Sequence, residues 1–277
     1  MNTCLWRMTN RCNFDCEYCY VRRTPYPEYE PQDIDLLDQK IDESWKIIFT
    51  GGEPFLIPGF VDLCHRVATK HKIAIDTNLS VTSEVKKFVE AVRPEQIHYL
   101  YIACHIEQRE KRNNLREFLE NLDLLKRKGF GNSIALNYVL HPRLFDRLEK
   151  DREMFLDHGF SLSPTFMGGE FEGKPYPESY TPEQMAKFNI EKTWVGPFHS
   201  KGLLCKAGHT FFSMQPDGEI HRCECDTRRI GDLKTGFSLK ETSYPCEIEI
   251  CSCLGELLVE ADRKEVLNRS CSPFNKF

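Results

Sequence analysis

The chain has 277 residues, 40% of them hydrophobic and 29% charged, and a formal net charge of −5. That length can build a core without covalent staples, and lysine and arginine scattered along segments such as 111–116 and 126–128 read as solvated faces, not as a nucleic-acid groove. No apolar run nears twenty residues, so neither a membrane span nor a signal peptide is expected, and the expected location is cytoplasmic.

Residues 3–9 read as a strand, followed by Cys12, Cys16 and Cys19 in the spacing C-x-x-x-C-x-x-C. Residues 46–50 are a short apolar run of the kind buried in a parallel sheet, with Gly51-Gly52-Glu53-Pro54 at its C-terminal end. Residues 59–70 read as an amphipathic helix with Phe60, Leu63, Cys64 and Val67 on one side. Further strands are predicted at 73–77, 97–104, 133–140 and 160–165, with helices at 83–92, 113–128 and 142–158 between them. Alternating strand and helix means a parallel sheet. Six strands within residues 1–165 are too few for a closed eight-fold barrel, so the expected α/β core is a partial (β/α)6 TIM-like barrel with its site at the strands' C-terminal ends.

Residues 166–200 read as a connecting loop and helix: 167–177 are rich in glycine, proline and aromatics, and Thr181-Pro182 opens a helix. Glu170 and Tyr176 could face a substrate there, but a plain connection is the simpler reading. Residues 201–277 carry Cys205, Cys223, Cys225, Cys246, Cys251, Cys253 and Cys271, a density no core needs. A hairpin over 210–214 and 219–222, turning at Pro216-Asp217-Gly218, would bring Cys205 and Cys223 together.

Three thiolates can hold three irons of a four-iron cluster and leave the fourth open to a small molecule. A structural zinc site needs a fourth ligand, and the nearest histidine, His65, falls on the amphipathic helix. Disulfides are a poor fit to an odd count of thirteen cysteines. The run from Arg11 through Cys12, Cys16 and Tyr18 to Cys19, followed by Gly51-Gly52-Glu53-Pro54, resembles the radical S-adenosylmethionine (SAM) enzymes. The resemblance covers residues 3 to 165 and implies a four-iron, four-sulfur (4Fe-4S) cluster at Cys12, Cys16 and Cys19 whose open iron binds SAM. It also implies an electron donor such as flavodoxin or ferredoxin, and a 5′-deoxyadenosyl radical that takes hydrogen from substrate.

By the same resemblance the backbone and Glu53 of Gly51, Gly52 and Pro54 would meet the methionine amino group, and the backbone at Tyr18 would approach adenine. Asp76, Thr77, Asn78 and Ser80, then His105 and Glu107, and then Asn137 supply polar groups at strand ends, of which Asn78 and Asn137 are the better SAM contacts and His105 a weaker one. The spacing C-x12-G-x4-C from Cys205 through Gly218 to Cys223 resembles the opening of SPASM and twitch extensions, which bind auxiliary four-iron clusters. Cys246, Cys251 and Cys253 depart from the full SPASM run, so at least one auxiliary cluster is expected, with structural zinc as the alternative.

Members with such extensions oxidise or crosslink peptide side chains, epimerise peptide residues, or oxidise small molecules. With the first motif cysteine at residue 12, no N-terminal peptide-recognition domain is expected. Three readings follow: an enzyme modifying a peptide or protein, a dehydrogenase or epimerase on a small metabolite or sugar, and a non-catalytic iron–sulfur or zinc module.

Overall fold

The computed structural model describes residues 1–19, 21, 33–41, 43–188, 197–251 and 257–259. Its first half alternates strand and helix: β1 (Thr3–Thr9), α1 (Asp33–Lys40), β2 (Lys46–Gly51), α2 (Phe60–Val67), β3 (Lys72–Thr77), α3 (Thr82–Ala91) and β4 (Ile97–Ala103). It continues with α4 (Ile106–Lys111), α5 (Leu115–Arg127), β5 (Ile134–Leu140), α6 (Leu148–Asp157) and β6 (Leu162–Phe166). The six strands pair in parallel in the order β1 to β6, forming an open partial barrel. Their central residues are apolar because helices and lumen bury both faces: Ile47, Phe49, Ile73 and Ile75 are completely inaccessible.

The expected helices are present with trimmed ends. The segment expected as one helix from 142 to 158 opens as a 3₁₀ turn over Pro142–Arg147, and α6 starts only at Leu148. The proline supplies the fixed φ of a first turn. Short helix α4 was not anticipated.

Residues 166–188 form a small hairpin, β7 (Gly169–Phe171) and β8 (Lys174–Tyr176), followed by α7 (Pro182–Phe188). The C-terminal part adds β9 (Phe198–His199), β10 (Leu204–Cys205), β11 (Phe211–Met214), β12 (Glu219–His221), β13 (Arg229–Asp232), β14 (Gly236–Phe237), β15 (Tyr244–Pro245) and β16 (Ile250–Cys251). The expected hairpin is β11 with β12, and it continues the barrel sheet: β11 lies parallel to β1, from Thr3 opposite Phe211 to Trp6 opposite Met214. The sheet is thereby ten-stranded, in the order β14-β13-β12-β11-β1-β2-β3-β4-β5-β6.

A second, smaller core lies beside it. Phe198, Leu203, Cys205, Ala207, Cys223, Cys246, Cys251 and Leu258 pack together, tied by the pairs β10 with β15 and β9 with β16. Among the described residues no helix is long and apolar enough to cross a membrane.

Candidate functional site

The cysteine loop leaves β1 and lies directly against the end of β2. The amide of Gly52 donates to Thr9 O (2.8 Å) and that of Glu53 to Arg11 O (2.8 Å). This approach explains both glycines: a Cβ on Gly51 would sit 2.2 Å from Thr9 O, and one on Gly52 1.9 Å from Arg11 O. Gly51 also has φ of 136°, which disfavours any side chain.

Glu53 is fully buried and joins this turn to the end of β3. Its carboxylate accepts from Phe55 N (3.1 Å), Thr77 Oγ1 (2.7 Å) and Asn78 N (2.6 Å). Burial pushes the carboxyl up to about 7 against the pull of those donors and of Arg109. Asn78 carries the connection on to the loop, donating from Nδ2 to Cys12 Sγ (3.6 Å) and to Asn13 Oδ1 (3.1 Å). Cys12 Sγ also accepts from Phe14 N (3.4 Å). Burial, with Cys12 and Cys19 close by, pushes the Cys16 thiol up to about 12.

A cavity of about 630 Å³ opens over this loop, lined by all three cysteines, Gly51, Gly52, Asn78 and Asn137. Asn137 accepts from Thr165 Oγ1 (2.5 Å). A second cavity of about 510 Å³ shares Val21, Thr50, Gly51 and Asp76 with the first and reaches Cys223 and Cys225. Its polar lining includes Arg7 and Thr50, level with each other across β1 and β2, and Asp76 on β3. Burial pushes the Asp76 carboxyl up to about 6, opposed by a hydrogen bond from Thr50. Arg7 pairs with Glu224, which spans this second cavity from β1 to the C-terminal part.

Cys205, Cys223, Cys246 and Cys251 meet in the small second core. Cys223 Sγ accepts from Asp226 N (3.3 Å), Cys205 Sγ from Ala207 N (3.5 Å), and Cys246 Sγ donates to Ser200 Oγ (3.5 Å). Burial pushes the Cys223 thiol up to about 12, with Cys225 and Cys205 contributing. Cys225 packs at this core's edge. Cys253 and Cys271 lie outside the described residues.

The radical SAM superfamily profile matches residues 6–155, more than half of the chain. This chain belongs to the radical SAM superfamily. Among curated relatives, GTP 3′,8-cyclase of Pseudomonas putida (strain W619) is 26% identical over 145 residues, covering 48% of this chain and 43% of the relative. The chain thus spans less than half the length of that protein. Among solved structures, anSMEcpe with bound AdoMet (another abbreviation for SAM) superposes with a TM-score of 0.62 at 16% identity, over 84% of this chain and 78% of that one. Native anSMEcpe with bound AdoMet and Cp18Cys peptide gives 0.59 at 15%, over 84% and 77%. Streptococcus suis SuiB gives 0.54 at 14%, over 80% and 60%. At such identities these likenesses speak to the fold alone.

The residues present suit the superfamily's cofactors. Among the described residues no three thiols, imidazoles or carboxylates converge as they would on a single metal ion; a four-iron cluster instead takes each thiolate on a different iron. On the cavity wall, buried Asn10 has no hydrogen-bond partner for its Oδ1 among the described residues, and a ligand's amino group would satisfy that acceptor. Of the residues singled out in the sequence, Cys12, Cys16, Cys19, Tyr18, Gly51, Gly52, Asn78 and Asn137 all line the larger cavity, while Glu53 is spent on the joint beneath it. Of the polar loop residues, Glu170 is exposed and Tyr176 packs on Tyr180 (5.0 Å between ring centroids). The sequence reading passed over Thr50, Arg7, Asn10 and Glu224. Thr50 ends an apolar strand, and only strand register reveals that it stands level with Arg7.

Proposed function

We propose that this chain is an enzyme that cleaves SAM reductively and modifies a peptide or protein side chain lying between two iron–sulfur sites. Bound together, cluster and SAM supply a 5′-deoxyadenosyl radical that takes a hydrogen atom from substrate. Cys12, Cys16 and Cys19 would hold three irons, while Asn78 fixes the Cys12 sulfur. The backbone of Gly51 and Gly52 and the Oδ1 of Asn10 would receive the methionine end of SAM, and Asn137, held by Thr165, would meet its nucleoside. Cys205, Cys223, Cys246 and Cys251, with Cys253 in reserve, would hold one auxiliary 4Fe-4S cluster.

The observation that carries this reading is the pair of adjacent cavities that share Val21, Thr50, Gly51 and Asp76, one lined by the first cysteine loop and the other by Cys223. A substrate filling them would present a hydrogen-bond donor to Asp76 and lie within reach of both sites. A peptide substrate is favoured because a solved neighbour of like fold is described with a bound peptide. A small metabolite is the second reading, favoured by a relative described as GTP 3′,8-cyclase.

Reconstituted protein incubated with dithionite and SAM should release 5′-deoxyadenosine, with iron and sulfide in excess of one four-iron cluster per chain. Without 5′-deoxyadenosine, the chain is an iron–sulfur or zinc module and not an enzyme of this kind. Isotope-traced hydrogen transfer from candidate peptides into 5′-deoxyadenosine separates the peptide reading from the metabolite one.

A further inference from the structure

Helix α4 and its two flanking residues carry a polar stripe where an amphipathic helix would carry an apolar one. His105, Gln108, Arg109 and Arg112 stand at i, i+3, i+4 and i+7, on one helical face. Each touches the cysteine loop, and they do so in reverse chain order. The Nδ1 of His105 pairs with Tyr18 Oη (2.9 Å). Gln108 accepts from Asp15 N at Oε1 (3.0 Å) and donates from Nε2 to Asp15 O (2.9 Å). The Arg109 guanidinium lies 5.3 Å from the Phe14 ring centroid, and Arg112 donates from Nε to Asn13 O (3.0 Å) while also lying 5.3 Å from that ring.

The anchor of this stripe is itself fixed. Arg109 is completely buried, donates to Cys104 O (2.6 Å) and to Asn78 O, and lies 3.4 Å from the Phe118 ring centroid. His105 has the left-handed backbone (φ 43°) that turns the chain from β4 into α4, a conformation uncommon outside glycine. Gln108 is buried too, so its amide is committed to the backbone of Asp15, the residue directly before Cys16.

We propose that α4 is a clamp that pre-forms the cysteine loop, with Gln108 as its principal positioning residue: the two-way amide bond to Asp15 holds Cys12 and Cys16 in place before any iron arrives. The cluster itself belongs to the reading above, but the clamp is testable in its absence. Gln108→Met keeps side-chain length and removes both hydrogen bonds. In the metal-free full-length chain, hydrogen exchange at the Asp15 amide should accelerate roughly tenfold or more, as expected for the loss of two buried hydrogen bonds, while β3 and β4 keep their protection. Gln108→Glu, which keeps the acceptor for Asp15 N–H, should fall between wild type and Gln108→Met. After reconstitution, Gln108→Met should lose iron to a chelator faster than wild type and change the electron paramagnetic resonance signal of the reduced cluster.

Unchanged Asp15 protection in Gln108→Met overturns the clamp. Were that variant to loosen β3 and β4 as well, Gln108→Glu decides: protection at Asp15 lost equally in both also overturns it. A chain that takes up no iron yet shows the exchange difference keeps the clamp and removes the cluster reading.

Discussion

The two cysteine regions are built in opposite ways. The first is a loop seated by the barrel: its backbone bonds to Gly52 and Glu53, its Cys12 sulfur is held by Asn78, and α4 grips the residues between the cysteines. Among the described residues the second is framed by short strands only. Strands β9, β10, β15 and β16 are two residues each, and among the described residues four of the eight buried in the small core are cysteines. If these cysteines hold the proposed cluster, this core draws part of its folding energy from what they bind. The first site is organised by the barrel, and the second, on the proposed reading, would be organised by the cluster it binds.

The largest test of this division is loss of one thiol from each. Cys16→Ala should abolish 5′-deoxyadenosine formation, whereas Cys205→Ala should leave uncoupled SAM cleavage and remove substrate product. Equal loss of cleavage in both variants would break the distinction. Next, Gly52→Ala places a methyl group against Arg11 O and should cost about 3 kcal/mol, the upper part of the range for overpacking a dense site. The expected sign is lost iron at the first site and a lower melting temperature. Wild-type stability in Gly52→Ala would mean that the loop is free to move.

Metal removal gives a gentler comparison. In chelator, protease cleavage and hydrogen exchange should rise across 197–251 while β2 to β5 stay protected, because those strands lean on a core that contains no ligands. Parallel loosening of both regions would show that the second site supports the barrel through β11.

The barrel was legible in the sequence for the reason that protects it here. Strands buried on both faces are short apolar runs, so all six could be placed within a few residues, whereas the close approach of Gly51 and Gly52 to the cysteine loop shows only in the fold. Helix α4 was not legible, because its stripe of His105, Gln108, Arg109 and Arg112 reads as solvent-facing until the loop it grips is in view. The parallel pairing of β11 with β1 joins residues about two hundred positions apart, which no local period records. Asp76 stood among several polar residues at the end of β3, and only the second cavity distinguishes it from Thr77 and Asn78, which bond to Glu53.

Asp76 lies between the two regions, and its substitution is the smallest and sharpest of these effects. Its carboxyl is raised to about 6 by burial, above the ordinary 3.8. The folded protein therefore holds a proton that the unfolded chain has released between those values, and stability falls as pH rises from about 4 to about 6. Asp76→Asn removes that penalty. It should stabilise the protein by about 1–2 kcal/mol at pH 7, a discounted figure since the group borders an open cavity, and by nothing below pH 4. Thermal unfolding of both proteins across this range measures it. Asp76 lines both cavities, where the proposed substrate would lie. Asp76→Asn should therefore also weaken substrate turnover while uncoupled 5′-deoxyadenosine formation continues, and full turnover in the more stable variant would leave Asp76 a feature of folding alone.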